Sequence, residues 1–223
     1  MTNARYRLYR EHKFVSFMLS SFSAEIAKID FSLDDNVNHI KEKLSGIIKL
    51  LHGHASHENI SIHALLKNKG SCIHEKIEAE HSSHSNIFEK LNQLLTEVIK
   101  STDIARRVEL GHQFYLGVQR FEAENLLHQI YEETVIMPEL QRLYTDEELL
   151  VGIEAKTYEL MTSEQMIHMM EVLFPHFNMD DREAFLRDIY QSQPAKFVEA
   201  WAGIAPMIDS RERDRLITCL GIQ

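Results

Sequence analysis

Cysteine, proline, glycine and tryptophan are all scarce in this chain of 223 residues, which has two, four, eight and one of them respectively. Two cysteines, Cys72 and Cys219, cannot build a disulfide framework or a thiolate-rich metal site. So little glycine and proline leaves few turns, and the β-branched alternation that marks strands is missing. No apolar run approaches the roughly 18 to 20 residues that cross a bilayer. Residues Met1 to Arg10 also lack the apolar stretch of a signal peptide. The expectation is a cytoplasmic protein with no membrane partner. Net charge is −10 and no Lys/Arg cluster stands out, so the chain has no basic face to neutralise phosphates and nucleic acid is not expected as a partner. A hydrophobic content of 44% excludes disorder, and the length suffices for one ordinary domain with a small second lobe.

What remains is helix. Apolar residues recur in steps of three and four along four long segments. The first, about Arg5 to Asp30, carries Leu8, Val15, Leu19, Phe22, Ile26 and Ile29. The second, about Asp35 to Asn68, is expected to bury Val37, Ile40, Leu44, Ile47, Leu51 and Leu65. The third, about Ser71 to Lys100, carries Ile73, Ile77, Phe88, Leu91 and Leu95. The fourth, about Asp103 to Tyr144, carries Ile104, Val108, Tyr115, Val118, Phe121 and Val135. Short connections between long helices make sequential neighbours antiparallel, so the sequence predicts an all-α, up-down-up-down four-helix bundle over residues 1–145. Residues 146–223 read as a C-terminal extension of short helices. Capping-box spacing at Thr145/Glu148, Thr162/Gln165 and Asp209/Glu212, with Pro175, Pro194 and Pro206 as punctuation, sets their starts and stops. The methionines between Met161 and Met179 are expected to fill core gaps.

Histidine is abundant: thirteen in all, ten of them between His39 and His128. Several interrupt the apolar stripes. His12 lies between Leu8 and Val15. The stripe of Leu44, Ile47 and Leu51 runs on into His54 and Glu58. His81 and His84 follow Ile77, and Val118, Phe121 and Asn125 lead to His128 and Glu132. Burying such groups without partners costs several kcal/mol, so four helices with the same irregularity call for one shared explanation, a metal site. Depth along the helices agrees. His12 is 20 residues before the connection near residue 32 and His54 is 22 after it; Glu58 and His81 are 11 and 12 residues from the connection near residue 69. His81 and His128, at 21 and 26 residues from the connection near residue 102, match more loosely. His54-x-x-x-Glu58 and His128-x-x-x-Glu132 each place an imidazole and a carboxylate one turn apart on one face. Two carboxylates able to bridge, capped by several imidazoles, suit two iron ions better than one zinc. The candidate ligands are therefore His12, His54, Glu58, His81, His128 and Glu132.

With these residues in view, the sequence resembles the hemerythrin-like (HHE cation-binding) family, in the bacterial form with a C-terminal helical extension. The resemblance is carried by Glu11-His12, the run from His54 to His63, Glu80-His81 and the run from His128 to Pro138, and it spans roughly residues 5 to 145. It implies a non-heme centre of two irons with an oxo or hydroxo bridge and an open position for dioxygen, peroxide or nitric oxide. One departure bears on function. Oxygen-carrying hemerythrins have two histidines four apart on the third helix, but here Ile77 and Ser85 flank His81 at that spacing. His84 or an exogenous ligand is left to fill the place, and the departure weighs against reversible oxygen carriage.

The functional expectation is a di-iron protein that binds or senses O2, NO, peroxide or iron itself. Two alternatives stand beside it: a di-iron oxidoreductase that consumes peroxide, and a helical interaction protein with a vestigial site. A ferritin-like site is a further alternative, because Glu-x-x-His occurs at Glu78/His81 and Glu109/His112. However, His112 lies about ten residues from its connection and His81 about 21, so the pair cannot share one level. His57 is expected to support the site or face solvent. His39, His52, His63, His74, His168 and His176 are expected on the surface or hydrogen-bonded in the core.

Overall fold

A computed structural model of the chain describes residues 6–221. Among the described residues every regular element is helical, and none is long and apolar enough to cross a membrane. Contacts divide the chain into two compact units, Ser16–Ile136 and the combination of Met1–Val15 with Met137–Gln223.

The first long helix is shorter than its stripe suggests. Arg5, its expected start, lies outside the described residues, and α1 spans His12–Ile26. The reason lies at Tyr9, whose φ of 71° is left-handed. A side chain in that region costs roughly 1–2 kcal/mol and cannot continue a right-handed helix, so residues 6–9 are irregular even though Tyr6, Leu8 and Tyr9 are buried.

Within Ser16–Ile136, α2 spans Asp34–His57 and α3 His63–Asn68, joined without a break by a π-helical turn at Glu58–Ile62. Next come α4 (His74–Lys100) and α5 (Ile104–Tyr131), the latter running into a second π-helical turn at Glu132–Ile136. Gly70, at a left-handed φ of 73°, ends α3, and the Ser71 amide returns to the Leu66 carbonyl at 3.0 Å. Asp103 caps α5 by accepting from the Ala105 amide at 2.9 Å.

Side-chain pairs set the register. His81 meets His128 and Phe88 meets Phe121, at ring separations of 4.8 and 4.9 Å, so α4 and α5 run antiparallel. His52 near Phe88, with Glu58 near His81, does the same for α2 and α4. Ser16 and Ser20 donate to Gln129 and Glu122 from α1 to α5. With Phe88 opposite Phe121, the first turn of α5 overruns the end of α4. The overrun explains the loose depth count for His128, and its residues have their own use. The Arg107 guanidinium donates to the Phe31 carbonyl at 3.0 Å and pairs with Asp34 at 2.7 Å, so it ties the α1–α2 connection to α5.

The other unit has a separate apolar core. It is built from α6 (Met137–Leu143), α7 (Asp146–Leu149), a π-helical turn (Leu150–Ala155), α8 (Lys156–Leu160), α9 (Ser163–Leu173), α10 (Met179–Ser192), α11 (Pro194–Ile204) and α12 (Ser210–Leu220). Of the methionines expected to fill core gaps, Met166 and Met170 are fully buried in one cluster with Phe197 and Leu186, Met161 and Met169 pack partly buried against it, and Met179 is exposed. Both threonine capping boxes form, at Thr145/Glu148 and Thr162/Gln165. Asp209 caps α12, while the Glu212 carboxylate pairs with Arg182. The segment before α1 joins this unit through polar links. The Tyr6 hydroxyl donates to Glu154 at 2.6 Å, the Gln141 amide donates to the Tyr6 carbonyl at 2.9 Å, and Arg10 pairs with Asp188 at 2.8 Å.

Gly111, one turn beyond Arg107, shows how tightly this end of α5 is packed. Alanine in a helix interior normally gains up to about 1 kcal/mol over glycine, but a Cβ at Gly111 would overlap the Phe31 ring. Forced repacking costs about 1–3 kcal/mol, so Gly111→Ala should lower the thermal midpoint. A midpoint that rises or stays put would show that Phe31 does not fix the end of α5.

Candidate metal centre

Both buried carboxylates of the sequence argument open a π-helical turn: Glu58 the first and Glu132 the second. Such single wide turns recur at functional sites. The two stretches share two buried apolar positions, since Ile62 with Leu66 and Ile136 with Leu140 lie at the same distances past the carboxylate. Pro138, which lacks an amide hydrogen, follows only the second turn, and Ala64 stands at the matching place in the first. Proline is therefore not the common cause. What the two turns share is a carboxylate at the first position and an imidazole four residues earlier.

The three helical runs bring Glu58, His81, His128 and Glu132 together, with one donor atom from each lying within 4.8 Å of the others. Glu58 and Glu132 are 1% and 0% exposed, so neither carboxylate relies on bulk water. The separations are informative. His81 Nε2 lies 3.1 Å from His128 Nε2 and 3.3 Å from Glu58 Oε2. His128 Nε2 is 3.3 Å from Glu132 Oε1, and His54 Nε2 is 3.4 Å from Glu58 Oε1. Charge-assisted hydrogen bonds are shorter, at about 2.7–2.9 Å. Donor atoms held about 2.1 Å from one shared ion stand roughly 3.0–3.4 Å apart at octahedral or tetrahedral angles. The spacings fit donors converging on a common point better than they fit a set of closed ion pairs.

Beyond the donors lies a partly enclosed cavity of about 500 Å³, lined by His54, His81, His84, Asn125, His128 and Phe88 among others. Three of the candidate ligands, His54, His81 and His128, therefore form part of its wall. Oxygen and imidazole donors without a thiolate suit first-row metals such as iron, manganese or zinc, and this group could hold a metal ion.

His12 begins α1 in the other compact unit. It is buried, and its ring stacks on Tyr9 with 4.7 Å between centroids. Ile77, one turn before His81 on α4, is fully buried core. His84 and His57 are not among the four converging residues. His84 packs edge-on against Phe121 at 5.1 Å and forms part of the cavity wall, whereas His57 is half-buried. The remaining histidines divide. His39 and His168 are exposed beside Glu25 and Glu171. His74 is buried with Nδ1 2.9 Å from the Ser71 carbonyl, and His63 is buried 3.4 Å from Glu78. On the ferritin-like alternative, His112 is exposed and Glu78 pairs with Lys67, so that pattern builds no site.

Sequence periodicity missed Glu80. Directly preceding His81 on α4, it belongs to the flank of the stripe, yet its Oε2 lies 2.8 Å from His128 Nδ1. Burial pushes this carboxyl up, but hydrogen bonds from Lys76 and His128 outweigh it and hold the group below the usual carboxylate range. The signals available beforehand were its adjacency to a candidate ligand and its place in the Glu80-His81 pair. Comparison with protein-family models, with curated proteins and with solved structures gave no match.

Burial also pushes His63 and His84 down to about 4. Both rings are neutral in the folded protein at pH 7, whereas each titrates near 6.5 once unfolded. Below pH 6.5 the unfolded chain therefore takes up these protons first, and stability present above 6.5 is lost progressively toward pH 4. His84→Leu should remove one such proton, so the midpoint drop between pH 7 and pH 5, measured on metal-free protein, should shrink. An unchanged drop would place the acid sensitivity elsewhere.

Proposed function

We propose that this chain is a hemerythrin-like protein that holds a non-heme two-iron centre within a four-helix bundle of α1, α2–α3, α4 and α5, and that it binds or senses a small oxidant or diatomic molecule. The observation that carries the reading is the convergence of Glu58, His81, His128 and Glu132 at donor-to-donor spacings suited to a shared ion. Two carboxylates can each bridge two ions, and His54, His81 and His128 would cap them. His12, assigned on its place between Leu8 and Val15, the loop count and the resemblance, is the sixth ligand of this proposal. The sequence resemblance supports the choice of iron over other metals that the donor set would accept. Bound iron would supply a Lewis-acidic, redox-active centre for dioxygen, peroxide or nitric oxide.

The protein's own contribution is positional. Backbone bonds and apolar packing hold the donors in place from three helical runs, so little reorganisation is needed on binding. The wall of the cavity limits what can approach to small molecules. Ile77, fully buried where a further imidazole would be needed, favours a second reading in which the open place is used to consume peroxide rather than to store oxygen.

Protein purified after iron supplementation should carry about two irons per chain and absorb as an oxo-bridged ferric pair does. His54→Ala, His128→Ala and Glu132→Ala should each lose most of the iron, and His12→Ala should lose part of it. His39→Ala and His168→Ala should retain it. One tightly held zinc, no metal at all, or equal iron across the series would refute the assignment. Decomposition of added hydrogen peroxide by the ferric protein would favour the second reading over quiet binding.

A further inference from the structure

Resting on the metal-centre reading above, we infer that Glu80 is a positioning residue that holds His128 in the tautomer whose Nε2 lone pair faces the convergence point, and so sets metal affinity. A neutral imidazole carries one proton on either nitrogen, and only the bare nitrogen can ligate. An ionised carboxylate accepts hydrogen bonds and donates none. With Glu80 Oε2 at 2.8 Å from His128 Nδ1, that nitrogen must carry the hydrogen, which leaves Nε2 bare. Nε2 is the atom that lies 3.1 Å from His81 and 3.3 Å from Glu132.

The carboxylate is itself fixed. Its second oxygen accepts from Lys76 Nζ at 2.8 Å, one turn earlier on α4. The Lys76 ammonium in turn sits 3.7 Å from the centre of the Tyr131 ring, three residues past His128 on α5. Lys76, Glu80, His128 and Tyr131 thus make a closed polar link between two helices at the level of the site. Each side chain has its position set by the next. Partners of this kind on the far nitrogen of a ligating histidine orient the ring and strengthen it as a donor, and losing one typically weakens metal binding 10–100-fold. Glu80 remains partly exposed, with its side chain at 32%, so replacing it should not collapse a core.

The test uses metal-free and zinc-loaded full-length protein, zinc being redox-silent. Nitrogen-15 shifts of the histidine rings report the tautomer directly, and competition with a chelator reports zinc affinity. In the unmodified protein His128 should be protonated at Nδ1 in both states. Glu80→Ala should lose that preference and bind zinc 10–100-fold more weakly. Glu80→Gln, which keeps an acceptor but no charge, should keep the tautomer and show a smaller loss. A purely structural role would lower the thermal midpoint and leave the tautomer alone. Unchanged tautomer or unchanged zinc affinity in Glu80→Ala would overturn the inference. Absence of zinc and iron binding in the unmodified protein would refute the metal-centre reading separately, and the metal-free spectra would still decide whether Glu80 orients His128.

Discussion

Two carboxylates taken out of water govern this structure. Glu58 and Glu132 are almost completely buried and their neighbourhood is imidazole. An isolated ionised carboxylate in such surroundings costs several kcal/mol, and a second one close by adds repulsion. Such an arrangement persists only if the carboxyls are neutralised, by protonation, by neighbouring imidazolium groups or by a cation. Helices α2, α4 and α5 are held in the register that brings those groups together, and the π-helical turns at both carboxylates belong to the same constraint. Each turn inserts extra backbone just past the carboxylate. The glutamate and the apolar residues that follow, Ile62 and Leu66 or Ile136 and Leu140, can then all face inward.

The site is close to two-fold in its sequence logic and asymmetric in its surroundings. One imidazole–carboxylate pair comes from α2 and its continuation, the other from α5 and its continuation, while α4 adds His81 between them. On the α4 side, Ile77 fills a core position and His84 forms cavity wall against Phe121. His54 keeps a side-chain exposure of 15% against 4% for His128, so the two pairs differ in access to solvent. Both His54 and His128 line the cavity, and His128 Nδ1 meets Glu80 on its far side.

Rigidity far from the site has identifiable causes as well. Arg107 reaches from the overrunning first turn of α5 to the Phe31 carbonyl and the Asp34 carboxylate, and Gly111 lets the Phe31 ring lie directly on the helix. These contacts pin the end of α5 remote from Glu132. Because a helix transmits axial position along its length, fixing that end fixes the depth at which His128 arrives.

Much of this was legible in the amino-acid order. Steps of three and four identify the helices, and ionisable residues on those stripes identify His54, Glu58, His81, His128 and Glu132, because a helix's own period fixes which side chains share a face. Periodicity cannot report where regular geometry fails. The left-handed Tyr9 that delays α1 to His12 and the widened turns at Glu58 and Glu132 depend on how buried side chains compete for space across helices. Nor could the sequence show the overrun of α5, since loop length sets the number of residues between helices but not which of them lie level. Glu80 is the clearest instance. Its place beside a stripe reads as solvated, and only the approach of α5 at that depth turns it toward His128. Local patterns, which the chain encodes residue by residue, determined the helices and the donors. The register between helices decided which carboxylate meets which nitrogen, because that depends on packing that no single segment contains.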